Sequence, residues 1–127
     1  MRRCIAALAL VLLAGSSPAS AQVRTGGISY SIPWLHYVQA QADRYNPRYR
    51  YYLNPVAVAR HDLSRYGFTG APIRGATQVR PIHHGEDGQP ETDVVVSYRG
   101  HHYWIVLNQF IRLGPGGIWV IITITPM

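Results

Sequence analysis

Two stretches of the chain repeat apolar residues at helical spacing. The first apolar face consists of Leu35, Val38, Ala42 and Tyr45. Ser31 followed by Pro33 is a typical helix start, because a serine oxygen caps free amides and proline fits the first turn. Asn46 precedes Pro47, and a residue before proline avoids the α region. The pattern therefore predicts an amphipathic helix between Ser31 and Asn46.

The second helical stretch has the same start signal and a clear end signal. Its apolar face consists of Val56, Ala59, Leu63 and Tyr66. Asn54 and Pro55 repeat the cap and the proline of the first helix. Gly67 suits the left-handed residue that closes a helix, and Phe68 is placed to fold back on the last turn. We therefore predict a second amphipathic helix here.

The rest of the chain has the composition of β-structure. Residues 76–84 form the first predicted strand, in which Pro81 tolerates only an edge or a bulge position. Residues 93–127 contain three runs rich in β-branched and aromatic residues, separated by glycine turns, which is typical of an antiparallel meander. His101 and His102 are expected in a hairpin turn, with Gly100 supplying the unusual backbone angles.

Helices followed by strands predict the α+β class. The expected fold has two N-terminal amphipathic helices packed on a four-stranded antiparallel meander, in one domain spanning residues 31–127. Residues 22–30 are expected to form a flexible arm or a short edge strand. In general architecture this layout resembles the cystatin-like and NTF2-like folds, which often end on a strand similar to residues 117–120.

The terminal run is apolar on both of its expected faces. Strict alternation puts Ile118, Val120, Ile122 and Ile124 on one face. A bare apolar edge strand invites aggregation, so something is expected to cover it. Three candidates remain open: residues 28–32 of the same chain, a second copy in a homodimer through the C-terminal strand, or a strand of another partner.

The N-terminus has the pattern of a secretory signal peptide. Residues 1–21 combine a basic start, an apolar run and a small-residue site that ends at Ala21. We therefore expect an exported protein, periplasmic or secreted, with no transmembrane segment after cleavage. The single cysteine, Cys4, would leave with the signal peptide, so the exported fold has no disulfide and depends on its core.

The basic charge of the chain lies mainly in residues 22–80, which contain eight arginines and two acids. All twelve basic residues are arginine, and residues 44–52, here called the Arg/Tyr segment, are the densest part. Its expected binding residues are Arg44, Tyr45, Arg48, Tyr49, Arg50, Tyr51 and Tyr52. Arginine and tyrosine together are enriched at binding hot spots, which suggests an acidic envelope component or an acidic protein partner. Alternatively, the tyrosines pack inward and the arginines are only solvated. Nucleic acid does not fit the expected compartment.

Two histidine pairs suggest a second class of function. Imidazole is a common ligand of divalent metals, so His83 and His84 with Glu86 and Asp87 of the acidic loop form a candidate metal site. Only one histidine of an adjacent pair easily joins one site, because neighbouring strand residues point to opposite faces. If the acidic loop joins the first two strands, His83 lies opposite about Asp93. No other cofactor is indicated.

Catalysis is the third alternative. The few serines lack a glycine-flanked turn, and His61 and Asp62 are adjacent in a helix, where neighbours are not expected to face each other. A small enzyme would need a pocket between the helices and the sheet, lined by tyrosine and histidine. The sequence therefore favours a non-enzymatic binding or accessory protein over a metal-binding protein or an enzyme.

Overall fold

The computed structural model describes residues 23–127, which form two α-helices and one five-stranded antiparallel sheet. The helices are α1 (Ile32–Asp43) and α2 (Pro55–Asp62). The strands are β1 (Gly26–Gly27), β2 (Arg74–His84), β3 (Pro90–Tyr98), β4 (His101–Asn108) and β5 (Val120–Pro126). They follow the order β1-β5-β4-β3-β2 across the sheet. The α+β class is confirmed, whereas the prediction of four strands was wrong by one.

Both predicted helix starts are present. The side chain of Ser31 accepts a hydrogen bond from Trp34 N (3.2 Å), and Asn54 Oδ1 accepts from Val56 N (2.9 Å). Helix α2 continues into a 3₁₀ turn, Leu63–Tyr66, and ends at Gly67 with a φ of 92°. The expectation that Tyr45 belongs to the buried face of α1 was wrong. The helix ends at Asp43, and Tyr45 is 69% exposed.

One apolar core joins both helices to one face of the sheet. Its fully buried members are Val38, Tyr52, Val58, Ala59, Leu63, Val94, Val96, Ile105, Leu107, Ile121 and Ile124. Alternate residues of β3 and β4 face this core, as the period of a strand requires. The opposite face of these strands carries Asp93, Trp104 and their cross-strand neighbours. This face is called the open face, because the helices and the core lie on the other side of the sheet.

The apolar C-terminal strand is paired on both sides. Gly26 and Gly27 pair with Ile124 and Thr123, and Ile28 N donates to Ile122 O (2.9 Å). The covering segment is therefore the chain's own, but it begins two residues before the expected residues 28–32. The expected strict alternation was also wrong. The register shifts between Val106 and Leu107, so that Ile121 and Ile124 are both buried.

The other edge of the sheet is β2, whose residues are mostly exposed. The register shifts on both sides of Arg80, so Pro81 lies where a missing amide is tolerated. The hairpin between β3 and β4 turns at Arg99 and Gly100, with φ of 50° and 81°. The prediction that His101 and His102 form this turn was therefore wrong. Positive φ at both central positions gives a two-residue turn, and β4 already begins at His101.

Two buried glutamines hold residues 114–118, Gln109 from just after the end of β4 and Gln39 from α1. Gln109 Nε2 donates to Gly114 O (3.0 Å) and Gly117 O (3.1 Å), and its Oε1 accepts from Gly114 N (2.6 Å). Gln39 Oε1 accepts from Ile118 N (3.0 Å). Arg112 donates to both carboxylate oxygens of Asp43, and these hydrogen bonds anchor the outer side of the same loop. They also lower the pKa of Asp43. The loop is therefore a rigid part of the fold.

The predicted signal peptide, residues 1–21, lies outside the described residues. Within residues 23–127, neither helix has the length and the hydropathy needed to cross a membrane.

Candidate functional site

The Arg/Tyr segment turns sharply after helix α1. Tyr45 has a left-handed backbone with a φ of 58°, and Asn46 organises the turn that follows. Its side-chain oxygen accepts a hydrogen bond from Arg48 N (3.1 Å), and its backbone carbonyl accepts from Tyr49 N (2.9 Å). Because asparagine is suited to such local hydrogen bonds, this turn follows from the sequence. It starts a 3₁₀ helix, Arg50–Leu53.

The tyrosines of this segment differ in burial, whereas its arginines do not. Tyr52 is fully buried, Tyr49 and Tyr51 are half-buried, and Arg44, Arg48 and Arg50 are exposed. The rings of Tyr51 and Tyr52 stack with centroids 4.4 Å apart. The two interpretations of the segment are therefore compatible, because the inward tyrosines hold the arginines on a fixed surface. Tyr52 belongs to the core and is not a surface binding residue.

Part of the segment lines a shallow groove with a volume of about 260 Å³. Its walls are Arg48, Tyr49, Tyr51, His61 and Arg65. The first three come from the Arg/Tyr segment, and the other two come from α2 and the 3₁₀ turn after it. This set is called the Arg/Tyr groove. Sequence reasoning missed His61 and Arg65, although their spacing of four residues in a helical stretch places them on the same face.

A buried carboxylate organises the groove from below. Asp62 Oδ1 accepts a hydrogen bond from the Tyr51 hydroxyl (2.6 Å) and lies 2.8 Å from His61 Nδ1. Arg65 Nε is 4.0 Å from the same oxygen. The expectation that His61 and Asp62 do not face each other was wrong, since an imidazole can reach across the roughly 100° between neighbouring helical positions.

These contacts fix the hydrogen-bond roles of the side chains in the groove. A carboxylate only accepts hydrogen bonds, so His61 Nδ1 carries a proton and the ring turns its Nε2 away from Asp62. Burial, together with the hydrogen bond to Asp62, raises the pKa of Tyr51, which therefore stays a hydroxyl at neutral pH. The ring of Tyr51 also stacks on His61 with centroids 4.0 Å apart. The position of each ring is thus fixed by hydrogen bonds and packing.

Positively charged side chains outnumber negatively charged ones around the groove. Residues 44–65 contain five arginines, all exposed, and one acid, the buried Asp62. Guanidinium groups present planar donors that match phosphate and carboxylate oxygens. The Arg50 guanidinium lies 5.0 Å from the centre of the Tyr45 ring, outside the groove. The arrangement can therefore hold an anionic group, chiefly through Arg48 and Arg65.

The open face of the sheet contains one of the two histidines of the predicted metal site, His83, with partners other than the predicted ones. His83, Glu91 and Asp93 offer ligand atoms that all lie within 4.8 Å of one another. Asp87 and the other loop acid, Glu86, are exposed, and neither joins such a group among the described residues. The expected register was two residues off, because His83 pairs with Glu91 and not with Asp93.

His84 also lies outside this group, as expected for the second member of an adjacent pair in a strand. The pair His101 and His102 lies at the far end of β3, where Tyr98 pairs with His101. The acids Glu91 and Asp93 were not predicted as ligands. The signal was their spacing of two, which puts both on one face of a strand opposite the histidine.

A second concavity, between α2, β2 and residues 114–117, has a volume of about 400 Å³. Its lining consists of Leu53, Pro55, Ile82, Pro90, Gln109, Gly114, Pro115, Gly116, Gly117 and Trp119. None of these side chains titrates. The tyrosine and histidine lining expected for an enzyme pocket is therefore not found in this cavity of the described chain.

Comparisons with models of known protein families, with curated proteins and with solved structures found no match to this chain.

Proposed function

We propose that the protein is a small exported binding protein, periplasmic or secreted, that contacts an acidic envelope component or an acidic protein partner. The Arg/Tyr groove is the contact site, and it takes a phosphate or carboxylate group. The observation that carries this proposal is the position of Arg48 and Arg65 on the walls of one groove, beside the outward nitrogen of His61.

The roles of the groove residues follow from their contacts. Arg48 and Arg65 supply charged donors to the anion, and the half-buried rings of Tyr49 and Tyr51 supply rigid contact area. Asp62 positions Tyr51 and His61 and does not touch the ligand. Arg44 and Arg50 lie outside the lining and contribute attraction at a distance, which salt screens. Export follows from the signal-peptide pattern of residues 1–21.

Two further expectations remain proposals. A homodimer through the C-terminal strand has less support than the sequence suggested, because Gly26, Gly27 and Ile28 already pair with part of that edge. A general architecture of the cystatin-like or NTF2-like kind is supported by two helices whose apolar faces share a core with one face of an antiparallel sheet.

Retention of the protein on envelope fractions of its own cells tests the proposed function. The double variant Arg48→Ala/Arg65→Ala is expected to bind about tenfold more weakly or worse, because it loses two charge-assisted contacts. Binding of the unaltered protein should weaken as salt is raised, and the variant should respond less to salt.

The matched control is Arg74→Ala/Arg80→Ala, which removes the same charge from exposed positions of β2. This control should retain most of the binding. Equal losses in both double variants would mean that net charge alone drives retention, and retention that ignores salt would reject an ionic contact. Either result contradicts the proposed groove.

A further inference from the structure

One imidazole and two carboxylates lie together on the open face of the sheet beside the edge strand β2. His83 on β2 pairs directly with Glu91 on β3, and directly opposed residues of an antiparallel pair point to the same face. Asp93 follows Glu91 by two residues and therefore lies on that face as well. The side chains of His83 and Glu91 are 22% and 19% exposed, so solvent reaches the group from its edge.

One ring nitrogen of His83 faces a carboxylate oxygen. His83 Nδ1 lies 2.9 Å from the carbonyl oxygen of Pro81, which only accepts, so Nδ1 carries a proton. His83 Nε2 faces Glu91 Oε2, 3.2 Å away, and a carboxylate oxygen also only accepts. Two acceptors at this distance need a cation between them, either a second ring proton or a metal ion. A histidine that donates its other N–H to a backbone carbonyl is the usual arrangement of a metal ligand.

Asp93 supplies an independent observation. Its side chain is only 3% exposed, and both of its partners bind one oxygen: Trp104 Nε1 donates to Oδ2 (3.1 Å), and Arg80 Nη1 lies 3.6 Å from Oδ2. The other oxygen, Oδ1, is buried and has no hydrogen-bond partner. A buried carboxylate oxygen without a partner is costly, and a bound cation would remove that cost.

We infer that His83, Glu91 and Asp93 form a binding site for one divalent transition-metal ion of the Zn²⁺ class. The ligands are His83 Nε2, Glu91 Oε2 and the Asp93 carboxylate, with a further position open to solvent. Tetrahedral Zn²⁺ with bonds of 2.0–2.2 Å holds its ligand atoms about 3.3 Å apart. The His83–Glu91 pair already has that spacing, and the other atoms, within 4.8 Å, need to close by about 1.5 Å at most.

Among residues 23–127, Arg80 is the cation in contact with Asp93, and it competes with a metal ion for this carboxylate. Its side chain is 54% exposed and its contact with Asp93 is long, so the pair is largely screened by water. Arg80 therefore moves aside at little cost when a metal ion binds. A site with one imidazole and two carboxylates prefers Zn²⁺ to Mg²⁺ or Ca²⁺, which take oxygen ligands only.

Titration of the untagged, chelator-treated protein with Zn²⁺ by calorimetry tests this site. We expect one Zn²⁺ per chain, and an affinity that falls about tenfold or more in His83→Ala and in Glu91→Gln, since each loses a ligand. His83 lies on the edge strand β2 and Glu91 on the neighbouring strand β3, and neither residue belongs to the apolar core. His84→Ala is the matched control and should bind Zn²⁺ as the unaltered protein does, because His84 is outside the group.

Fluorescence gives a second readout of the same site. Because Trp104 donates to Asp93, Zn²⁺ is expected to change the emission of the protein, and this change should disappear in Trp104→Phe. Three outcomes overturn the inference. The first is a stoichiometry far below one Zn²⁺ per chain, and the second is an equal loss of Zn²⁺ affinity in His84→Ala and His83→Ala. The third is an affinity for Mg²⁺ equal to that for Zn²⁺.

Discussion

Gly117→Ala is expected to lower the free energy of unfolding by about 3 kcal/mol or more, because overpacked backbone cannot move aside as a flexible side chain can. A Cβ at this position would collide with the backbone carbonyl of Arg112 and approach Gln109 Nε2 to 3.0 Å. The backbone at Gly117 is also fixed by its hydrogen bond from Gln109. A domain of this size is stable by about 5–15 kcal/mol in total, so the loss is a large fraction.

Urea unfolding followed by circular dichroism measures this effect, with Gly27→Ala as the control. A Cβ at Gly27 would have only Ile122 O near it, at 4.0 Å, and its φ is not positive. The free energy of unfolding of that variant should therefore lie within about 1 kcal/mol of the value for the unaltered protein. Equal stability of the two variants would show that residues 114–117 are not held as rigidly as their hydrogen bonds imply.

Asp62→Ala is expected to cost about 2 kcal/mol of stability, because hydrogen bonds to a charged acceptor contribute more than neutral ones. The variant removes the acceptor of the Tyr51 hydroxyl and the partner of His61 Nδ1. Asp87→Ala removes the same charge from an exposed loop and should change stability by less than about 0.5 kcal/mol.

A double-mutant cycle with Tyr51→Phe separates the hydrogen bond from other effects of losing the charge. If the Tyr51 hydroxyl acts mainly through Asp62, the two substitutions together should cost less than the sum of the single costs, by about 1 kcal/mol or more. Strict additivity would mean that the 2.6 Å contact contributes nothing, and the groove would then lack its positioning residue.

Local signals predicted the elements of this fold well. The caps at Ser31 and Asn54 and the left-handed Gly67 each depend on a side chain or a glycine acting on its own backbone, so a short window of sequence contains the cause. The meander and the edge position of β2 follow from composition and from Pro81. The short edge strand that was one alternative for residues 22–30 is present as β1, but its two glycines carry no pattern of apolar side chains to decide between a strand and an arm.

Features that depend on register could not be predicted in the same way. One shift between β4 and β5 moves Ile121 to the core and cancels the expected alternation of the terminal strand. The pairing of β2 with β3 differs from the expected pairing by two residues, so Glu91 and not Asp93 lies opposite His83. The Arg/Tyr groove was half predicted, because Arg48 and Tyr49 belong to a visible cluster while His61 and Arg65 join it only through packing.

Heteronuclear NMR locates the anion site residue by residue. Inorganic phosphate and a dicarboxylate are added separately to labelled protein at low salt. We expect the largest shifts to concentrate on the Arg48 and Arg65 side chains and the His61 ring, the charged or donor-bearing side chains of the groove. Shifts of similar size at all exposed arginines, including Arg74 of β2, would contradict this location of the site.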